Sequence, residues 1–138
     1  MFSGWADDNF WVWFAGFFDG EGCIYLPKRG IAVSVSNIEK DLILAIQAKI
    51  GIGTVTEVTF NKERWRTKYT WAIRNLPEAG VILRRMLPFL TIKAEKARLG
   101  LERVDAWESH RSLLRERNAE IVRLALSGVQ YKVIAEQF

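Results

Sequence analysis

From Phe10 to Phe18 every position is apolar, so a helix over this stretch is hydrophobic on all sides and needs cover on more than one face. Asp7, Asp8 or Asn9 can cap its start, and the chain turns small and acidic at about Gly20, where it should end. Past Gly22 the period of the pattern changes. Cys23 to Lys28 and Ile31 to Asn37 read as a strand pair around Pro27-Lys28-Arg29-Gly30, with Ile31, Val33 and Val35 alternating against Ala32, Ser34 and Ser36. Leu42, Ile43, Ile46, Ala48 and Ile50 restore helical spacing between Glu39 and Ile50, which Gly51 and Gly53 close. Thr54 to Phe60 and about Arg66 to Arg74 predict two further strands. Pro77 opens a helix through Met86, Pro88 breaks it, and Lys93 to Trp107 predicts a last long one. Helix, two strands, helix, two strands, helices is an α+β order (αββαββα). It predicts a four-stranded antiparallel sheet with the helices on one face and the other face open.

Composition narrows this picture. A chain of 138 residues with 49% hydrophobic content can bury a core, so one compact domain with a small appendage is expected. The net charge of +4 is a mild basic bias, compatible with a polyanionic partner. Cys23 is the only cysteine, which excludes an internal disulfide, and the single His110 has no cysteine or histidine neighbours at zinc spacing. A reducing, intracellular setting follows as an expectation, without a choice between cytoplasmic, phage-encoded and organelle-encoded origins. The nine-residue apolar run is too short to span a bilayer, and Met1 to Asp8 lacks the basic region of a secretory signal. No membrane and no organic cofactor are expected.

The chemistry starts at the end of the first helix. Asp19 and Glu21 stand beside the unpaired carbonyls and partial negative charge of a helix C-terminus, an unfavourable placement by up to ~1 kcal/mol unless a cation is near. Carboxylate and carbonyl oxygens are ligands that Mg²⁺ accepts. Gly16 and Gly20 stand four apart on one side of the helix, where absent side chains admit a second backbone. Further on, Lys62, Arg64, Arg66 and Lys68 recur at every second residue, with Trp65, Tyr69, Trp71 and Ile73 in the other phase. Alternating charge decorates any solvated hairpin, but a two-stranded ribbon with such a cationic face also fits the major groove of DNA. Because the turn between Phe60 and Arg66 can shift the phase, Lys68 and Tyr69 both remain candidates for the DNA-facing position.

The stretch Phe14-Ala15-Gly16-Phe17-Phe18-Asp19-Gly20-Glu21-Gly22 resembles the nine-residue signature of the LAGLIDADG homing endonucleases, with Phe14, Phe17 and Phe18 as apolar substitutes. The element order from the first helix to about Trp107 resembles one unit of that family. The resemblance implies a concave sheet face in the major groove and a helix pair that forms the subunit interface, here through Trp13, Gly16, Phe17 and Gly20. By position, Glu21 matches the metal-binding acid and Gly20 the residue whose carbonyl assists, whereas Asp19 looks structural. Leu87-Pro88-Phe89-Leu90-Thr91-Ile92-Lys93 resembles a family pattern that puts Lys93 at the active site, and Asn37 matches a polar position near it. Glu39-Lys40-Asp41 departs from members that carry a further basic residue there. Tyr25, Lys28, Arg29, Ser34 and Ser36 match DNA-facing positions of the first two strands, joined by Lys62, Arg64, Arg66, Lys68 and Tyr69 of the second hairpin.

The implied activity is site-specific hydrolysis of double-stranded DNA with Mg²⁺ or Mn²⁺: in-line attack by water at phosphorus, with Lys93 offsetting developing charge. One signature per chain implies a homodimer on a near-palindromic site, of the kind found with mobile introns. A cleavage-inactive DNA-binding regulator and an RNA-binding intron maturase are the alternatives. The endonuclease domain is expected over residues 1–108 and a polar, arginine-rich linker over 109–118. Over 119–138, Ile121, Val122, Leu124, Ala125, Ser127-Gly128 and Val133-Ile134-Ala135 resemble the first two helices of a helix-turn-helix. The pattern stops where a recognition helix should begin, so either the chain is cut from a longer protein, the favoured expectation, or these helices serve packing.

Overall fold

The structure, a computed structural model, describes residues 7–59 and 67–126. The chain divides into two compact units, residues 1–104 and 105–138. The first helix, α1 (Asp8–Glu21), starts where the Asp7 carboxylate accepts from the Phe10 N–H at 3.0 Å. It is followed by β1 (Gly22–Tyr25), β2 (Ala32–Asn37), α2 (Lys40–Ile50), β3 (Thr54–Val58), β4 (Lys68–Ile73), α3 (Leu76–Met86), a 3₁₀ turn at Leu87–Phe89, and α4 (Ala94–Leu126). The four strands form one antiparallel sheet in the order β1-β2-β4-β3, two hairpins joined through β2 and β4. This is the α+β architecture that the sequence pattern predicts.

Strand phase decides which face the helices cover. Val33 and Val35 of β2 pair with Ile73 and Trp71 of β4, and all four are buried against Phe14 and Phe18 of α1, Ile43, Ile46 and Ile50 of α2, and Ile82, Leu83 and Met86 of α3. Trp71 is held at both ends: its indole N–H donates to the Ile52 carbonyl at 2.9 Å and its ring meets Phe14 edge-on at 5.7 Å. Each large buried side chain of this set contributes on the order of 1.5–3 kcal/mol through removal of apolar surface from water.

Two expectations change. Helix α1 buries only the stripe Trp11, Phe14, Ala15 and Phe18, at helical spacing, and leaves Val12 51% and Trp13 46% exposed, so no described element covers its second apolar face. The last helix continues well past Trp107, and residues 109–118, expected as a linker, are helical. No glycine or proline stands between Leu101 and Leu126. Close pairs such as Glu120 with Arg123 join successive turns, the Arg123 Nε donating at 2.9 Å, and hold the Glu120 carboxyl below its usual range. Within the second unit the Arg111 guanidinium also stands 5.3 Å from the Trp107 ring centre. Of the expected helix-turn-helix tail, residues 127–138 lie outside the described part. Among the described residues, no helix is long and apolar enough to cross a membrane.

Candidate active site

The end of α1 brings together what the sequence separates. Gly22 follows the helix with extended backbone, φ −84°, and its N–H still bonds the Phe18 carbonyl. Its glycine is therefore required by space rather than by an unusual backbone angle: a β-carbon here would stand 2.3 Å from Phe18 Cδ2. This tight exit turns the chain directly from α1 into β1 and leaves Glu21 exposed at the rim of the open sheet face. There Glu21 lines a depression of about 440 Å³ with Cys23, Ser34, Ser36, Asn37, Ile38 and Lys68.

Cross-strand partners identify the rest of this face. Cys23 stands opposite Ser34 and Tyr25 opposite Ala32, while Ser36 stands opposite Thr70, its hydroxyl 2.7 Å from that of Thr70. Tyr25 is 60% exposed. Lys28 and Arg29 are exposed on the loop between β1 and β2. Arg103 of α4 holds that loop from below, donating through Nη1 to the carbonyls of Pro27 and of Gly30, the latter at 2.8 Å. The left-handed backbone at Gly30, φ +85°, completes the turn.

Lys93 reaches the end of α1 from the turn just before α4. Its ammonium donates to the Asp19 carbonyl at 2.6 Å, and the Asp19 carboxylate accepts from the N–H groups of Thr91 and Lys93 at 2.8 and 2.9 Å. The expected electrostatic conflict at the helix end is thereby halved. Asp19 turns away to the N-terminal end of α4, where negative charge is favoured, and a lysine caps its carbonyl. Glu21 has no hydrogen-bond or ion-pair partner among the described residues.

Asn37 lines the same depression, but its side-chain oxygen accepts from Glu39 N–H at 2.8 Å in a tight turn just ahead of α2. Lys68 faces the open side. Tyr69, named with it as DNA-facing, lies in the phase of Trp71 and Ile73, partly buried against the core, with the Lys40 ammonium 5.8 Å from its ring centre. The period-two pleat forces one of these neighbours inward, and the apolar body of tyrosine fills that place better than lysine does. Lys62, Arg64 and Arg66 lie outside the described residues. Trp13, Gly16, Phe17 and Gly20 mark the outward side of α1: Trp13 and Phe17 stack at 5.3 Å, and β-carbons added at Gly16 or Gly20 meet nothing within 4 Å. Sequence reasoning missed Arg103, Thr70 and Thr91, whose partners stand far along the chain.

The donor set fits a hard divalent cation. Glu21 and the Gly20 carbonyl offer oxygen donors at an exposed helix end, and no described group pairs with the Glu21 carboxylate. Among the described residues no three His, Cys, Asp or Glu side chains cluster.

No family model matches this chain, and no curated protein matches it. Solved structures do. The chain is similar to the homing endonuclease I-CvuI in complex with its target, with a TM-score of 0.63 and 23% identity over 79% of this chain and 75% of that one. The LAGLIDADG meganuclease I-AabMI bound to uncleaved DNA gives 0.57 and 17% over 78% of this chain and 39% of that one. The homing endonuclease I-TnaI gives 0.55 and 18% over 95% of each chain. The fold is that of the LAGLIDADG homing endonucleases.

Proposed function

We propose that this chain is a site-specific endonuclease of the LAGLIDADG type, which hydrolyses double-stranded DNA with Mg²⁺ or Mn²⁺ as a homodimer on a near-palindromic site. The observation that carries this reading is the position of Glu21: a carboxylate without a partner among the described residues, at the end of α1, on the rim of an open sheet face that also presents Lys68, Ser34 and Ser36. A pure binding surface for a polyanion gains nothing from a carboxylate there, whereas a phosphodiester hydrolase needs one to hold its cation. I-CvuI was solved with its target in the presence of Ca, and with the I-CreI target in the presence of Mg, which supports divalent metal use by the same fold.

Glu21 and the Gly20 carbonyl would hold a divalent cation, which when bound would supply Lewis-acid stabilisation of the phosphate oxygens and a lowered pKa for water. The chain's own groups do the rest. Lys93, fixed at the end of α1, offsets charge that builds on the phosphate. Lys68, Lys28 and Arg29 neutralise backbone phosphates and set the register of the duplex. Ser34, Ser36 and Tyr25 face the base edges, with room for bridging water around the short hydroxyls.

The dimer reading rests on α1. Val12 and Trp13 offer exposed apolar surface, with the half-buried Phe17 stacked on Trp13, beside the open strip over Gly16 and Gly20, so a second copy of the same helix can approach closely. Such a self-complementary contact brings the two Glu21 carboxylates to one place. Glu21→Gln tests the reading: it should keep specific DNA binding and lose metal-dependent cleavage, and full cleavage by that variant removes Glu21 from the mechanism.

A further inference from the structure

Asp19 stands two residues before Glu21, yet its carboxylate is engaged by the main chain just ahead of α4. Its two oxygens accept from main-chain N–H groups 72 and 74 residues away, at Thr91 and Lys93. The arrangement is a closed ring of contacts: the carboxylate fixes the main chain from which the Lys93 side chain departs, and that side chain ends on the Asp19 carbonyl. A lysine left to itself samples many rotamers along its four-carbon stem. Here its backbone and its head group are both anchored to one residue. One N–H of the ammonium is spent on the carbonyl, which leaves two for an incoming phosphate oxygen.

We propose that Asp19 is a positioning residue for the cleavage reaction, acting through Lys93 by holding residues 91–93 against the end of α1. The proposal rests on the endonuclease reading above and gives the first acid of the signature a task distinct from that of the second. Asp19 touches neither substrate nor cation. Its effect therefore belongs to the rate of the chemical step and to the order of one lysine side chain.

Two measurements on the full-length protein test this. The first is single-turnover cleavage in a double-mutant cycle. Asp19→Asn should slow cleavage by about tenfold to a hundredfold while the DNA Kd holds within about twofold, since misplacement of one charge-stabilising group affects the transition state and not the ground state. In a Lys93→Met background the same substitution should bring no further loss. An equal loss in both backgrounds, or none in either, overturns the proposal. The second is amine labelling of the DNA-free protein, read at Lys93 and at exposed Lys96 by mass spectrometry. Lys93 should react more slowly than Lys96, and Asp19→Asn should close the gap; an unchanged gap overturns the proposal whatever the protein cleaves. If Asp19→Asn does not fold, Asp19→Glu, which shifts the carboxylate by one methylene, carries the same comparisons. A wild-type protein that cleaves no DNA removes the endonuclease reading and this proposal with it, whereas unchanged labelling beside intact cleavage removes the proposal alone.

Discussion

The ring of Phe18 occupies the space where a β-carbon on Gly22 would stand, 2.3 Å from Cδ2. Phe18 is fully buried and tied into the core with Phe14, at 6.0 Å between ring centres, so it cannot yield cheaply. Gly22→Ala should therefore destabilise the fold by about 1–3 kcal/mol, the usual result of overpacking. Urea unfolding followed by tryptophan fluorescence measures it. Because the same contact fixes the exit from α1, activity should fall even where the variant remains folded.

Gly16 is the contrasting case. A β-carbon there meets nothing within 4 Å, and leucine is a better helix former than glycine by several tenths of a kcal/mol. Gly16→Leu should leave protomer stability unchanged or slightly raised and abolish dimerisation by blocking close helix approach. Sedimentation over a concentration series reads this directly. A Gly16→Leu protein that remains dimeric places the interface elsewhere.

Lys68 and Tyr69 should separate in DNA binding as they do in the sheet. Lys68→Ala should weaken binding across sequences and lower the salt slope by about one per protomer, as expected for a lost phosphate contact. Tyr69→Phe should leave affinity unchanged. The measurement is fluorescence anisotropy over a range of salt concentrations, and a reversed pattern would turn the β4 face over.

Arg103 joins α4 to the loop that carries Lys28 and Arg29. Arg103→Met keeps much of the apolar stem and removes the guanidinium from the Pro27 and Gly30 carbonyls. A loss of about 1.5–3 kcal/mol in unfolding free energy is expected for hydrogen bonds from a charged donor. DNA affinity should fall alongside, since the loop loses its support.

The elements that were legible in the sequence are those with a strong local period. Ile31, Val33 and Val35 set the phase of the first hairpin, and the Phe10–Phe18 run with Asp7 before it set α1. Tyr69 was not legible, because a tyrosine suits either face of a sheet and only the packing around Trp71 decides. Residues 109–118 read as a joint because they are polar, yet a solvated helix face has the same composition. Glu21 and Lys93 could be named through the signature and the Pro-aromatic-Leu segment. That Asp19 holds the main chain at Thr91 and Lys93 could not, since a hydrogen bond across 72 or 74 residues leaves no pattern in the intervening chain.

The most direct measurement is selection of cleaved sites from a randomised duplex library, with Mg²⁺ and with a chelator, by the wild-type protein and by Glu21→Gln. The account predicts recovery of a near-palindromic site by the wild type in Mg²⁺ alone, with no cleaved product from Glu21→Gln although it still shifts that site in a gel. Cleavage that persists in chelator, or that survives Glu21→Gln, contradicts it.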